Sequence, residues 1–126
     1  MNGTKKDSKK DFLKILIVDD ELVFLSLIEE VFACEGIKIK TTGDSTVAMK
    51  IIEEEGVDIL VTDLKMPKFN GIDLATRAVK ICPDTQIIFM TGYNEPQEDT
   101  TDFQNYFLLK KPFHIEEIVN LIKHFV

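Results

Sequence analysis

Several charged and polar residues stand where apolar runs stop. Asp19 and Asp20 follow ILIV at 15–18, Asp63 follows ILVT at 59–62, Thr91 follows QIIFM at 86–90, and Lys110 and Lys111 follow FLL at 107–109. Three carboxylates brought together repel one another, so each either rises in pKa or needs a cation. An all-oxygen, strongly negative set suits a hard divalent ion such as Mg²⁺ or Mn²⁺. Mg²⁺ keeps several waters in an octahedral shell, so two carboxylates and a backbone carbonyl leave room for a phosphoryl oxygen. Three carboxylates, one lysine and the ion sum to about zero charge, which matches the site to a phosphoryl anion. The two histidines, His114 and His124, lie away from these strand ends and no Ser-His-Asp set is present. The nucleophile left is a carboxylate, and its product is an aspartyl phosphate. Each residue also has a plainer reading: Asp20 as the N-cap of a helix, Thr91 as an ordinary strand end, Lys111 as a solvated lysine before a turn proline. It is their coincidence at one sheet edge that favours the chemistry.

Positioning those ends requires a parallel sheet. Apolar runs at Leu13 to Val18, Ile37 to Thr42, Asp58 to Thr62, Gln86 to Thr91 and Tyr106 to Leu109 alternate with helical stretches at about Glu21 to Cys34, Ser45 to Glu55, Ile72 to Ile81 and Ile115 to Phe125. Near-continuous Ile, Leu and Val in the strands is what a sheet covered on both faces requires. The pattern predicts a doubly wound, five-stranded parallel α/β sheet with helices on both faces, whose carboxyl ends collect the functional groups. The second strand, which ends without such groups, is predicted at a sheet edge. Between Gly92 and Asn105 the sequence GYNEPQEDTTDFQN offers only Tyr93 and Phe103 as large apolar residues around Pro96, which predicts a short or distorted helix. In the last helix Ile115, Ile118, Val119 and Ile122 share one face; Leu121 and Phe125 either form a second face or also pack inward.

At 126 residues, with 44% apolar and 29% charged residues, the chain has the make-up of one soluble domain. The polar stretch 1–11 reads as a flexible tail and 12–126 as the domain. The first residues lack the apolar core of a secretory signal, no run approaches the length of a membrane span, and a cytoplasmic setting follows as the expectation. Cys34 and Cys82 have neither CxxC spacing nor a histidine cluster, which argues against zinc or a disulfide. A net charge of −7 removes the electrostatic basis of nucleic-acid binding, and no membrane contact is expected.

The runs ILIVDDE at 15–21, VTDLKMPKFNG at 61–71, FMTG at 89–92 and KKPF at 110–113, in that order, resemble the receiver domain of bacterial response regulators. The resemblance covers about Leu13 to Val126. It implies the flavodoxin-like strand order 2-1-3-4-5, a phosphoacceptor at Asp63, and Mg²⁺ (or Mn²⁺) held by Asp19, Asp20, Asp63 and the backbone carbonyl of Lys65. It further implies that Lys111 pairs with the phosphoryl group across a cis Lys111-Pro112 bond, that the Thr91 hydroxyl moves onto it, and that Gly71 closes the turn before the third helix. The implied partners are a sensor histidine kinase or phosphotransfer protein and a downstream output domain or protein; a phosphorylation-dependent homodimer stays open. The domain would catalyse its own phosphorylation and dephosphorylation rather than act as an enzyme on others, and its output face would combine the fourth and fifth strands, the segment 92–105 and the last helix.

Two features depart from the family pattern. Three residues before the Pro-linked lysine the family carries Tyr or Phe, whereas this chain has Leu108, with Tyr106 on the same strand face; the aromatic part of the switch is either lost or moved. The connection 92–105 is also about two residues short. By analogy Lys65 and Tyr93 lie near the acceptor, where their bulk could slow attack by water. The competing readings are a degenerate receiver that binds without phosphorylation and a Mg²⁺-dependent phosphatase or phosphotransferase. The second would want an acid/base carboxylate just after the nucleophile, where Leu64 and Lys65 stand. A flavin-binding protein of similar topology lacks its phosphate loop after the first strand.

Overall fold

Successive strand residues point to opposite sides of a sheet, and here the two sets build two separate cores. Ile15, Ile17, Ile59, Val61, Ile88 and Met90 face one layer; Leu16, Val18, Leu60, Ile87 and Phe89 face the other. The computed structural model describes residues 13–92 and 103–126. Its elements are β1 (Ile15–Val18), α1 (Leu22–Cys34), β2 (Lys40–Thr42), α2 (Ser45–Glu55), β3 (Ile59–Asp63), α3 (Gly71–Ile81), β4 (Gln86–Thr91), β5 (Tyr106–Lys110) and α4 (Ile115–Phe125). The strands form one sheet in the order β2-β1-β3-β4-β5, and every neighbouring pair is parallel. This is the doubly wound, flavodoxin-like arrangement expected from the sequence.

The helices divide between the two layers by their apolar stripes. Leu25, Ile28 and Phe32 of α1 pack with Ile118, Val119 and Ile122 of α4 in the first core. Ala48 and Ile52 of α2 join Leu74, Ala75 and Ala78 of α3 in the second. The small alanines let α2 and α3 approach the sheet closely, while Phe32 and Phe89, both fully buried, fill the wider parts of their layers. Leu121 and Phe125 of α4 also pack against the first core, with the Phe125 ring 6.0 Å from that of Phe107. The inward alternative therefore holds for both.

Element ends differ from expectation in informative ways. The second strand was expected from Ile37 to Thr42, yet only Lys40–Thr42 join the ladder. Ile37 instead donates its N–H to the Phe32 carbonyl at 3.0 Å and buries its side chain beneath α1, so the end of the helix takes a donor that a strand would have used. The third helix starts one residue early, at Gly71, behind a capping box in which Asn70 accepts the Asp73 N–H and Asp73 accepts the Asn70 N–H. The expected polar tail at 1–11 and the distorted helix in 92–105 involve residues 1–12 and 93–102, which lie outside the described residues. Phe103, at the edge of that connection, packs its ring 5.4 Å from Phe89.

Candidate functional site

The register of the sheet brings the polar strand ends together. Val18 pairs with Thr62 and Asp63 with Met90, so Asp19 and Asp63 emerge from adjacent parallel strands at one level, with Thr91 one residue further on β4. Asp19 is fully buried, Asp63 and Thr91 are nearly so, and Asp20 is exposed at the rim. One carboxylate oxygen from each of Asp19, Asp20 and Asp63 lies within 4.8 Å of the others. Such an all-oxygen, negatively charged set fits a hard divalent ion such as Mg²⁺.

Lys111 closes the site from the sheet edge. Thr91 pairs with Lys110 across the ladder, and the Lys111 N–H donates to the Thr91 carbonyl at 2.8 Å. The Lys111-Pro112 bond is cis. From there the Lys111 ammonium reaches Asp19 Oδ2 at 2.9 Å, Glu21 Oε1 at 3.1 Å and Asp63 Oδ2 at 3.3 Å, and stands 5.9 Å from the centre of the Phe24 ring. Burial alone would favour the neutral amine, but the hydrogen bond and charge of Asp19, joined by Asp63 and Glu21, outweigh it and hold the pKa well above the ordinary lysine range. At neutral pH the group is a fixed cation.

The loop that follows Asp63 is pinned at both ends. Leu64 N–H donates to the Met90 carbonyl and Gly71 N–H to the Leu64 carbonyl, each at 2.9 Å. A Cβ on Gly71 would stand 2.5 Å from the Asp63 carbonyl oxygen and 3.0 Å from Leu64 Cα, so a residue without a side chain is required for α3 to start against the strand. The glycine thus closes the connection before α3, as expected, and the requirement for it comes from close approach of backbones rather than from a positive φ. Lys65, with an exposed side chain, lies on this loop two residues after Asp63.

The plainer readings of two residues fail on this geometry. Glu21, not Asp20, occupies the N-cap position of α1, and Lys111 is held by three carboxylates rather than solvated. Lys110 is exposed. Tyr106 and Leu108 are half-buried against the second core, with the Tyr106 ring 6.3 Å from Phe89. Tyr93 lies outside the described residues. Sequence reasoning missed the part of Glu21, whose N–H donates to Asp19 Oδ1 at 2.9 Å while its side chain reaches Lys111; its place directly after the acidic pair was the available signal. It also missed Ser45, described below, for which the sequence carries no comparable sign.

A five-stranded parallel sheet with an acidic cluster and a lysine at its carboxyl edge defines a class that the comparisons with known proteins make specific. The response regulator receiver domain family matches residues 15–123, and the chain belongs to that family: it is a receiver domain of the two-component, phosphorylation-dependent signalling class. It is 31% identical over 114 residues to the response regulator receiver protein CpdR of Brucella abortus, covering 87% of this chain and 93% of that one. It is 30% identical over 111 residues to the DNA-binding transcriptional regulator NtrC of Azospirillum brasilense, covering 86% of this chain but only 23% of NtrC. Among solved structures, a response regulator receiver domain protein from Clostridium thermocellum superposes with a TM-score of 0.78 at 28% identity, over 90% of this chain and 93% of that one. No helix among the described residues is long and apolar enough to cross a membrane.

Proposed function

We propose that the chain accepts a phosphoryl group on Asp63 from a histidine kinase, a phosphotransfer protein or a small acyl phosphate, with Mg²⁺ beside it, and passes the change to an output partner. The observation that carries this reading is the meeting of Asp19, Asp20 and Asp63 oxygens within 4.8 Å while the Lys111 ammonium contacts two of those carboxylates. Asp19, Asp20, Asp63 and the Lys65 carbonyl would hold the ion, whose contribution is to neutralise charge around the transferring group.

In the transfer itself an Asp63 carboxylate oxygen attacks phosphorus in line, the bond from phosphorus to the donor nitrogen or oxygen breaks, and the leaving group departs with the electron pair. Phosphoryl transfer needs positioning and charge stabilisation more than covalent help. Lys111 supplies a permanent cation at the acceptor, and the bonded strand ends fix the direction of approach. Once formed, the phosphoaspartate offers oxygen acceptors to Lys111 and to the Thr91 hydroxyl. Movement of either biases β4, β5 and the connection between them toward a second arrangement, in which Tyr106 and Leu108 repack and a partner reads the face with α4. The chain's own residues thus catalyse its modification and its loss, in a cytoplasmic signalling role.

Incubation with acetyl phosphate and Mg²⁺, followed by intact-mass measurement, tests the reading. A phosphate-sized gain that vanishes in Asp63→Asn and without metal is the expected result; no gain with acetyl phosphate or a histidine-phosphorylated donor overturns it.

A further inference from the structure

Ser45 is the first residue of α2 and only 3% exposed, yet its hydroxyl serves another element. Its Oγ donates to the Pro67 carbonyl at 2.6 Å and accepts the Phe69 N–H at 3.1 Å. The two peptide groups it bridges flank Lys68, whose φ of 72° lies in the left-handed region that residues with a Cβ rarely adopt. Capping of α2 is performed by the preceding residue, Asp44, which accepts the Thr46 N–H at 2.8 Å. The Ser45 hydroxyl is therefore available to the loop between β3 and α3. Leu64 and Gly71 pin the ends of that loop by backbone bonds, and Ser45 holds its middle.

We infer that Ser45 is a positioning residue for the cation site, fixing the 64–70 loop so that its backbone oxygen stands ready beside the Asp19, Asp20 and Asp63 cluster. The inference rests on the reading of that cluster as a divalent-ion site. A backbone ligand contributes only where its supporting shell holds it within a few tenths of an ångström. The Phe69 N–H also reaches the Pro67 carbonyl directly at 3.0 Å, so the Ser45 hydroxyl reinforces a tight turn around Lys68, and without it that turn alone holds Lys68 in the left-handed region and opens more readily. The loop then samples several geometries, and ions differ in how much they suffer. Mg²⁺ demands near-ideal octahedral geometry, whereas Ca²⁺ accepts variable coordination. Loss of Ser45 therefore costs Mg²⁺ binding more than Ca²⁺ binding, a split that general loosening of the fold does not produce.

Isothermal titration of the full chain with Mg²⁺ and with Ca²⁺ tests this in wild type, Ser45→Ala, Ser45→Thr, Lys68→Gly and the Ser45→Ala/Lys68→Gly pair. Ser45→Ala is expected to weaken Mg²⁺ about tenfold, at the lower end of what supporting partners of metal ligands contribute, and Ca²⁺ less than about threefold. Ser45→Thr restores the hydroxyl and most of the Mg²⁺ affinity. Lys68→Gly alone binds close to wild type, and in the Ser45→Ala background it recovers part of the loss, because glycine adopts the left-handed region without help. If Ser45→Ala fails to fold, Ser45→Gly, which removes the same hydroxyl at the first position of α2, carries the comparison with the same expected split between the two ions. Equal weakening of both ions, or an unchanged Mg²⁺ constant, overturns the assignment of Ser45. A wild-type chain that binds neither ion overturns instead the cation-site reading beneath it.

Discussion

Lys111 and Asp19, 92 positions apart in the chain, meet at 2.9 Å, and the Asp19 carboxylate is fully buried. Asp19 Oδ2 takes the ammonium while Oδ1 takes the Glu21 N–H, so one side chain ties the start of α1 to the end of β5. Replacing Lys111 with Ala leaves a buried carboxylate cluster without its cation. Stability in the absence of metal should fall by roughly 1–3 kcal/mol, read from urea unfolding. Transfer from acetyl phosphate at saturating Mg²⁺ should slow by about 10²-fold, the scale of losing one preorganised stabilising group.

The pH dependence of this contact has a definite sign. The folded Lys111 pKa is raised above the ordinary 10.5, so its stabilisation is fully present below that value and is lost as pH rises through the higher folded value. Wild type should therefore lose more stability than Lys111→Met between pH 9 and pH 11.5, and the two should run parallel between pH 6 and pH 9. Urea midpoints across that range check both statements; a steeper alkaline loss in Lys111→Met contradicts them.

Metal and acceptor should be linked through stability. An ion that binds only the folded chain stabilises it by RT ln(1 + [L]/Kd), about 2.7 kcal/mol at 100 times Kd, and so raises its melting temperature. Mg²⁺ at millimolar concentration should raise the wild-type midpoint and leave Asp63→Asn and Asp20→Asn nearly unmoved. Without metal Asp63→Asn should melt at or above wild type, since one of three mutually repelling carboxylates has gone. Thermal scans with and without EDTA measure this.

Gly71→Ala should damage fold and site together. Its Cβ would meet the Asp63 carbonyl oxygen at 2.5 Å and Leu64 Cα at 3.0 Å, both backbone atoms, so α3 or the acceptor strand must shift. A loss of about 1–3 kcal/mol is expected for such overpacking, with slower phosphorylation of the fraction that remains folded. Gly36→Ala, where the space is open but φ is 72°, should lose stability without slowing phosphorylation.

Much of this arrangement was legible because two periodicities carried it. Apolar runs interrupted by Asp19, Asp63, Thr91 and Lys111 announced both the strands and the edge at which they end, and parallel register then forces those residues together. What stayed hidden depends on contacts between distant backbones. Ile37 to Ile39 has the β-branched composition of a strand, but the Ile37 N–H is captured by the end of α1. Ser45 stands where the second helix was expected to begin, and only the folded loop shows its hydroxyl at Pro67 and Phe69. Glu21 stands at the expected start of the first helix, and only the fold brings the Lys111 ammonium to 3.1 Å from its side chain.

The brevity of β2 has an implication for how the molecule behaves in company. A sheet edge offers a row of unsatisfied peptide groups on which a foreign strand can grow. Here that margin is three residues long, and its first residue, Lys40, carries an ammonium paired with Glu55 at 2.7 Å. A template so short, fronted by charge, gives an intruding chain little to zip onto. The open sheet is thereby guarded at this border against fibrous growth.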